Sequence, residues 1–137
     1  MDTDKTGLLK SLFDGNLDGI NHITEKIIGC SYNVSNSLGC GFLEKVYENA
    51  LTHELRKAVL KVLQQHEIEV HYDGVVVGKY IADLFVEDYV IVEVKANKGL
   101  DESQKAQCLN YLKATKFKIG LLLNFGKPRL EIKRVAL

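Results

Sequence analysis

The sequence is poor in cysteine and in long apolar runs, and both shortages exclude classes of protein. Its cysteines, Cys30, Cys40 and Cys108, are odd in number and lack the spacing of a metal site. Few cysteines in such an arrangement are typical of a reducing compartment, so we expect a cytoplasmic protein. No apolar run is long enough to span a membrane and no signal-peptide pattern is present, so a membrane partner is not expected.

An excess of charge of one sign is also lacking. The chain carries 18 Lys and Arg residues against 18 Asp and Glu residues, which gives a formal net charge of zero. There is therefore no overall basic field that would indicate a nucleic-acid partner, although a local basic rim would still allow one. The histidines are scattered without the ligand spacing of a zinc site, which argues against zinc.

What is present fits one compact domain. The chain has 137 residues, of which 46% are apolar and 26% are charged, as in ordinary globular proteins. Residues 1–16 are polar and weakly periodic, and we expect them to form a flexible N-terminal tail. A single domain is then expected over residues 17–137, because no internal repeat or linker interrupts them.

Two helices are predicted at the start of this domain. From Leu17, apolar residues recur at three- and four-residue steps, which predicts a helix with one buried face that ends at Gly39-Cys40-Gly41. A second helix is predicted from Phe42 to about Ala58. Its inner stripe is predicted to contain Leu43, Val46, Tyr47, Ala50, Leu51, Glu54 and Leu55.

Three antiparallel strands are predicted over residues 61–96, with Asp73-Gly74 as the first turn. A capping box formed by Asp101 and Gln104 then opens a third helix. The apolar run Ile119–Leu123 predicts a buried strand, and a final edge strand is expected to follow from Arg129 to Val135. The order α, α, βββ, α, β, β predicts an α/β fold with a mixed central sheet flanked by helices.

The stretch Tyr80–Ala96 is predicted to be a hairpin around which the rest of the chain is arranged. A three-residue loop, Glu87-Asp88-Tyr89, gives the register with the cleaner division of faces. This register pairs Val86 with Val90, Leu84 with Val92 and Ala82 with Val94 on one apolar face. On the opposite face it sets Asp83 across from Glu93, with Lys95 two residues further along.

The opposite face of the hairpin carries groups that suit a divalent cation. Cross-strand neighbours lie about 5 Å apart at Cβ, close enough for Asp83 and Glu93 to share one ion. Magnesium takes oxygen ligands, usually one or two carboxylates with waters and phosphate, and the Val94 carbonyl could add a third oxygen. Lys95 would point the same way and could stabilise charge that develops on a phosphate. Gln107, from the following helix, could hold a water or a phosphate oxygen.

The same charged residues have a simpler interpretation as a solvated salt-bridge ladder, worth well under ~1 kcal/mol. However, Ile81, Phe85 and Ile91 share their face, and a half-apolar face is expected to be covered. Covered charges must be paired or bind a cation. The setting therefore favours a cation site.

Polar residues on the helices also allow two interpretations. Glu44 and Glu48 lie one turn apart near the start of the second helix, where both could complement the helix dipole. Alternatively, one of them faces the site on the sheet. On the third helix, Gln104, Gln107 and Tyr111 share one stripe, which is either ordinary helix surface or part of that site.

Several of these segments resemble a known superfamily. Asp83, followed by Glu93-Val94-Lys95 at the end of a hairpin strand, resembles the D…(D/E)-x-K signature of the PD-(D/E)XK nucleases. Gly41-Phe-Leu-Glu44-Lys-Val-Tyr47 reads G-x-x-E-x-x-Y and resembles the small GxxExxY protein family within that superfamily. The resemblance continues through Tyr80-Ile-Ala-Asp83, Gln107-Cys-Leu-Asn-Tyr111-Leu112 and Gly120-Leu-Leu-Leu-Asn124-Phe125-Gly126. It covers nearly everything after about Leu17, and one departure is Cys40, where the family usually has proline.

The resemblance implies a restriction-endonuclease-like core of order αβββαβ, here with an extra N-terminal helix and a C-terminal strand. It implies a nuclease that depends on Mg²⁺ or Mn²⁺ and hydrolyses phosphodiester bonds of DNA or RNA through a metal-activated water. Asp83 and Glu93 would be metal ligands, and Lys95 would be the lysine of the signature. Glu44 would be the extra helix carboxylate near the metal.

The resemblance also extends to residues around these ligands. Gln107 and Tyr111 match the Q-x-x-x-Y element of the exonuclease-like branch, in which both residues lie beside the metal site. Tyr47 and Glu48 would support the site or pack beside it.

A second hypothesis keeps the fold without the activity. The domain would then be a non-catalytic or partner-dependent module, as a monomer or a homodimer, that binds nucleic acid or protein. The neutral net charge and the lack of a dedicated DNA-binding domain favour this hypothesis. A third interpretation is a structural domain with an incidental ion pair.

Overall fold

A computed structural model describes residues 17–115 and 119–137 of the chain. Within these residues the helices are α1 (Leu17–Leu38), α2 (Glu44–Lys57) and α3 (Glu102–Ala114), and the strands are β1 (Val62–Tyr72), β2 (Val75–Val86), β3 (Val90–Lys95), β4 (Ile119–Asn124) and β5 (Glu131–Ala136). The elements predicted from residue 17 onward are present in the predicted order. The predicted tail, residues 1–16, lies outside the described residues.

The strands form one five-stranded sheet in the order β1-β2-β3-β4-β5. Strands β3 and β4 are parallel, and the other neighbouring strands are antiparallel. Helix α3 lies in the crossover that parallel neighbours require. The predicted α/β fold with a mixed sheet flanked by helices is confirmed, and β5 lies at an edge as expected.

Each face of the sheet is covered by helices through its own apolar core. The larger core joins α1 and α2 to the sheet and includes Ile20, Ile23, Ile27, Tyr47, Leu51, Leu55, Leu84, Val92, Val94 and Leu121. The smaller core lies under α3 and includes Ile68, Ala82, Phe85, Ile91, Cys108, Leu112 and Leu122. Because side chains alternate along a strand, Val92 and Val94 of β3 face the larger core, and Ile91 and Glu93 face α3.

Helix α1 ends where glycine was expected to end it. Gly39 has φ 69° and Gly41 has φ 114°, both in the left-handed region that glycine adopts without a steric penalty. The Gly39 N–H donates to the Ser35 carbonyl at 2.9 Å, which closes the last turn. None of the described helices is both long and apolar enough to cross a membrane.

The buried face of α2 differs from the predicted inner stripe. Leu43 is 81% exposed and Val46 is 39% exposed, whereas the carboxylate residue Glu48 is only 4% exposed. The helix begins at Glu44, so Leu43 precedes it. An α-helix has 3.6 residues per turn. Tyr47 and the residues one and two turns later contact the core, so Val46 lies on the solvent side and Glu48 on the sheet side.

Both predicted hairpin loops are confirmed. Asp73 and Gly74 have φ 53° and φ 76°, the positive values that a two-residue type I′ turn requires. The second loop contains three residues, of which Glu87 and Asp88 have φ 52° and φ 62°, and it is closed by a 3.1 Å hydrogen bond from Tyr89 N–H to the Val86 carbonyl.

The alternation of β2 changes phase next to Asp83. The predicted register is confirmed where Leu84 pairs with Val92 and Val86 with Val90. The prediction that Ala82 shares their apolar face is wrong, because Ala82 packs in the smaller core while Leu84 packs in the larger one. Ile81 was predicted to lie on the covered face and is instead 51% exposed. The physical reason is that β2 departs from regular alternation at Asp83, so the residues before Asp83 face the side of the sheet opposite to the one predicted.

Candidate active site

Asp83 lies where strands β2 and β3 separate. The last residue pair in the described β2–β3 ladder is Leu84 with Val92. Beyond it, Asp83 Oδ2 accepts a hydrogen bond from the Val94 backbone N–H at 2.8 Å. The side chain thus takes the place of the backbone carbonyl that a continuous ladder would offer. As a result, a half-buried carboxylate is fixed to the neighbouring strand beside Glu93.

Glu93 is a buried carboxyl group with an unusual protonation equilibrium. It is 9% exposed, and its Oε1 accepts a hydrogen bond from the Tyr80 hydroxyl. Burial, followed by the charge of Asp83, raises the pKa of Glu93 from 4.5 to about 8, although the Tyr80 hydrogen bond and the charge of Lys95 oppose the rise. Removal from water and a like charge both disfavour the ionised form. Burial and the charge of Asp83 therefore favour the protonated form of Glu93.

A small cavity lies between β3 and α3 beside these groups. Its volume is about 10 Å³ and its walls are Tyr80, Glu93, Lys95, Gln104, Gln107, Cys108, Tyr111 and Leu122. That volume is about the space of a single water-sized group. The predicted stripe Gln104, Gln107 and Tyr111 thus faces the same cavity as Glu93 and Lys95, so α3 contributes to the site.

Tyr111 and Tyr80 form the aromatic wall of this cavity. Their rings stack with centroids 3.4 Å apart and an interplanar angle of 10°. Gln107 Nε2 lies 3.5 Å from the Tyr111 hydroxyl oxygen, and Gln107 itself is exposed. Burial, and then the charge of Glu93, raises the pKa of Tyr80, so its hydroxyl stays protonated and remains a donor to Glu93.

Lys95 and Glu44 lie at the ends of two neighbouring elements. Lys95 is half-buried at the end of β3, and its backbone carbonyl accepts from Phe125 N–H at 2.8 Å. Glu44 is exposed at the start of α2, and its Oε2 accepts from Ala96 N–H at 3.3 Å. Within residues 17–115 and 119–137, no group of three or more His, Cys, Asp or Glu side chains is placed to hold a metal ion. Glu44 therefore does not join the two strand carboxylates in a preformed three-residue cluster.

The other helix carboxylate, Glu48, faces the sheet. Its Oε1 accepts from Gln65 Nε2 at 2.7 Å. Its Oε2 accepts from Gln64 Nε2 at 2.7 Å and from Lys45 Nζ at 2.9 Å. Gln65 Nε2 also lies 3.3 Å from Asp83 Oδ1. Glu48 is therefore linked to Asp83 through a single amide group.

Tyr47 supports the loop before α2. Its ring is fully buried and stacks on Phe125 at a centroid distance of 4.8 Å. Its hydroxyl donates to the Gly39 carbonyl at 2.6 Å and accepts from Phe42 N–H at 3.2 Å. These contacts make Tyr47 a packing residue of the larger core that also fixes the start of α2, where Glu44 lies.

The sequence did not identify Tyr80 and Gln65 as residues of the candidate site. Tyr80 lies three residues before Asp83, so regular strand alternation places it on the opposite face from Asp83 and hence from Glu93. The change of phase at Asp83 brings Tyr80 to Glu93 instead. Gln65 has φ 51°, a conformation that no feature of a glutamine in a strand pattern predicts. Only the resemblance through Tyr80-Ile-Ala-Asp83 pointed to Tyr80.

The loop after Lys95 is fixed by Asn124, which is fully buried at the end of β4. Its Oδ1 accepts from Asn97 N–H at 2.9 Å and from Gly126 N–H at 3.0 Å, and its Nδ2 donates to the Asn97 carbonyl at 3.1 Å and to Glu131 Oε1 at 3.1 Å. All donors and acceptors of the amide are thus used. The backbone immediately beyond Lys95 is held rigidly against β4 and β5.

Gly126 permits this close approach, and replacing it is expected to disrupt the loop. A Cβ atom there would lie 2.3 Å from the Asn97 carbonyl oxygen and 2.5 Å from the Ala96 carbonyl carbon. We expect Gly126→Ala to lower the free energy of unfolding by about 2–3 kcal/mol, measured by urea titration. Gly99→Ala is the matched control, because a Cβ atom at Gly99 would meet no other atom within 4 Å. Equal stability of the two variants would contradict the expectation.

Comparison with known proteins gives one finding. A family model described as the PD-(D/E)XK nuclease superfamily matches residues 21–135. The matched region contains the complete candidate site and nearly all of the five-stranded sheet. No curated protein and no solved structure matches the chain.

Proposed function

Because the chain belongs to the PD-(D/E)XK nuclease superfamily, we propose that it is a nuclease that requires Mg²⁺ or Mn²⁺ and hydrolyses phosphodiester bonds of DNA or RNA. Its five-stranded mixed sheet flanked by helices is consistent with the restriction-endonuclease-like fold of that superfamily. The segment from Gly41 to Tyr47 further supports placing it in the GxxExxY family. Its cysteines are all free thiols, which supports a reducing, cytoplasmic setting.

The observation that carries this proposal is the pair formed by Asp83 and Glu93. Burial and the neighbouring carboxylate raise the pKa of Glu93 to about 8, which is the behaviour of a carboxyl pair without its counter-charge. Carboxylate oxygens are the ligands that Mg²⁺ prefers, so the residues fit a divalent ion. We propose Asp83 and Glu93 as its ligands, with the Val94 carbonyl and Glu44 as further oxygen donors.

The remaining residues have roles that follow from their chemistry. A bound divalent ion would lower the pKa of a water molecule and neutralise phosphate charge. The Lys95 ammonium would stabilise negative charge that develops on the phosphate. Gln107 would donate a hydrogen bond to a phosphate oxygen or orient the attacking water, and Tyr111 would orient Gln107 at 3.5 Å. Tyr80 would hold Glu93 in one orientation through its hydroxyl.

A second function, binding without cleavage, is favoured by a specific observation. The described residues contain no preformed cluster of three metal-ligating side chains, and the formal net charge of the chain is zero. A partner-dependent module, or a homodimer of it, would use the same fold to bind nucleic acid or a protein partner and would leave it uncleaved.

The test is cleavage by the purified protein with Mg²⁺ or Mn²⁺, against single- and double-stranded DNA and RNA. We expect EDTA to abolish cleavage and Lys95→Ala to lower its rate by about 100-fold or more, with Mg²⁺ binding retained because Lys95 is not a proposed ligand. Lys98→Ala, an exposed lysine in the following loop, is the control and should change the rate by less than about twofold.

Three results would decide between the two functions. Activity that survives in Lys95→Ala would contradict the proposed site. Nucleic-acid binding without cleavage, together with no heat of Mg²⁺ binding by calorimetry, would favour the non-catalytic module. Cleavage that requires the metal and is lost in Lys95→Ala but not in Lys98→Ala would support the nuclease.

A further inference from the structure

A defect in the pairing of β1 with β2 lies directly opposite Asp83. Within residues 62–86, all of which the structure describes, Gln64 pairs with Leu84 and His66 pairs with Ala82, and the ladder skips Gln65 and Asp83 between them. Gln65 has φ 51°, which strains the backbone of a residue with a side chain. Such strain persists only where surrounding contacts maintain it, and it clusters at functional sites.

The defect changes what the Asp83 side chain can reach. Residues two apart on a strand normally share a face, yet Ala82 packs in the smaller core and Leu84 in the larger one. The strand therefore rotates at Asp83. This rotation accompanies the departure of Asp83 from both ladders, and its Oδ2 meets the Val94 N–H at 2.8 Å.

The side chain of Gln65 holds the other oxygen of Asp83. Gln65 Nε2 lies 3.3 Å from Asp83 Oδ1 and 2.7 Å from Glu48 Oε1, so one amide group bridges two carboxylates. Asp83 is thereby held on both oxygens, by a side-chain amide on one and by a backbone N–H on the other. Hydrogen bonds to a carboxylate of this kind are stronger than neutral ones.

The surroundings of Glu48 allow it to hold the Gln65 amide group in place. It is buried at 4% exposure, and its second oxygen accepts from Gln64 Nε2 and from Lys45 Nζ at 2.7 Å and 2.9 Å. A buried carboxylate with this many partners has little freedom to move. Its remaining oxygen is thus a stationary acceptor for Gln65, carried by a helix that packs on the sheet.

We propose that Gln65 is a positioning residue for Asp83, and that Glu48 holds Gln65 in its strained conformation. That Asp83 binds a metal ion rests on the proposed function. How Asp83 is held does not depend on that function. In this arrangement α2 sets the orientation of a strand carboxylate through the Gln65 amide group. The strain at Gln65 serves the site and not the fold, since glycine would suit φ 51° better.

The test is Gln65→Gly, which removes the amide and relieves the backbone strain together. We expect the Val94 amide resonance to shift, its hydrogen exchange to accelerate, and Mg²⁺ affinity to fall about 10-fold or more. Stability should change little, because relief of the backbone strain opposes the loss of a hydrogen bond to the buried Glu48 carboxylate. A loss of affinity at nearly unchanged stability would not arise from a purely structural role. Glu48→Gln should reproduce the shift of the Val94 amide, because it weakens the acceptor that holds Gln65.

Glu67→Ala is the matched control. Glu67 is exposed on the same strand, two residues after Gln65, and its carboxylate oxygen Oε1 lies 3.1 Å from Lys79 Nζ. We expect Glu67→Ala to leave the Val94 amide signal and the Mg²⁺ affinity close to those of the wild type.

Two outcomes would overturn the inference. One is a Gln65→Gly protein whose Val94 amide behaves as in the wild type. The other is a Glu67→Ala protein that shows the same shift and loss of affinity as Gln65→Gly. If the wild type itself binds no Mg²⁺, the proposed function fails, and the Val94 amide alone decides whether Gln65 positions Asp83.

Discussion

Replacing Asp83 with asparagine is expected to remove Mg²⁺ binding and to lower the rate of cleavage by more than about 100-fold. Loss of a residue that only supports a metal ligand typically costs about 10- to 100-fold in affinity or activity, so loss of a ligand charge should exceed the upper end of that range. Asparagine retains one oxygen that can accept the Val94 N–H, which is bound at 2.8 Å in the native chain. The fold should therefore survive the substitution.

The same substitution should alter Glu93 in a measurable direction. After burial, the charge of Asp83 is the largest cause of the raised pKa of Glu93. Without that charge the pKa of Glu93 should fall, because a like charge no longer disfavours its ionised form. Titration of the Glu93 carboxyl carbon by NMR measures this change independently of any metal or substrate.

Asp88→Asn provides the control for the loss of one carboxylate. Asp88 is an exposed loop residue whose Oδ1 lies 3.1 Å from Lys61 Nζ, and it has no role in the site. We expect this variant to bind Mg²⁺ and cleave as the wild type does. Unchanged Mg²⁺ affinity in Asp83→Asn would contradict the assignment of Asp83 as a ligand, whatever its activity.

The raised pKa of Glu93 argues against a solvated salt-bridge ladder. In a satisfied ladder the lysine would hold the pKa of its carboxylate partner low. Lys95 does lower the pKa of Glu93, but burial and Asp83 outweigh it and leave the pKa at about 8. Lys95 therefore does not hold Glu93 in its ionised form, as it would in such a ladder.

Features that depend on neighbouring residues were predictable from the sequence. The Asp73-Gly74 turn follows from residues that tolerate positive φ. The start of α3 follows from the reciprocal hydrogen bonds of Asp101 and Gln104. The register of β2 with β3 follows from the length of one loop and the pattern of valines on either side of it.

Features that depend on distant residues were not predictable. Glu48 is buried because Gln64 and Gln65, on the following strand, supply its hydrogen-bond donors. The hydrophobic pattern of the helix alone does not reveal these partners, because they lie on another element. Ala82 faces the opposite core from the predicted one because β2 departs from regular alternation at Asp83, beside the left-handed residue Gln65 of the neighbouring strand. That Asp83 and Glu93 lie near each other on neighbouring strands could thus be predicted, but not how their side chains are held.

The metal-free protein is expected to lose stability as pH rises from about 5 to 8, and Glu93→Gln should remove most of that loss. The pKa of Glu93 in the folded chain is about 8, against 4.5 as its ordinary value. A group whose pKa is raised by folding contributes stability that is fully present below its unfolded pKa and is lost as pH rises through the folded pKa. The full difference corresponds to a contribution on the order of 5 kcal/mol.

Glutamine suits the native contacts of Glu93, because its carbonyl oxygen can accept from the Tyr80 hydroxyl as Glu93 Oε1 does. We therefore expect Glu93→Gln to be more stable than the wild type at about pH 8 in EDTA, and about equally stable near pH 4.5. Urea titrations across this pH range measure the difference. Glu69→Gln, at a partly exposed position of β1, is the control and should preserve the wild-type slope.

Magnesium should oppose the loss of stability at high pH in the wild type but not in Glu93→Gln. Mg²⁺ binds the ionised carboxyl group and competes with its proton, so the metal should stabilise the wild type more at about pH 8 than at about pH 5. Glu93→Gln, which has no proton to lose and no charge to offer, should gain little from the metal at either pH. A wild type whose stability in EDTA is independent of pH across this range would contradict the raised pKa of Glu93 in the pair that it forms with Asp83. Equal stabilisation of both proteins by Mg²⁺ would instead place the metal away from Glu93.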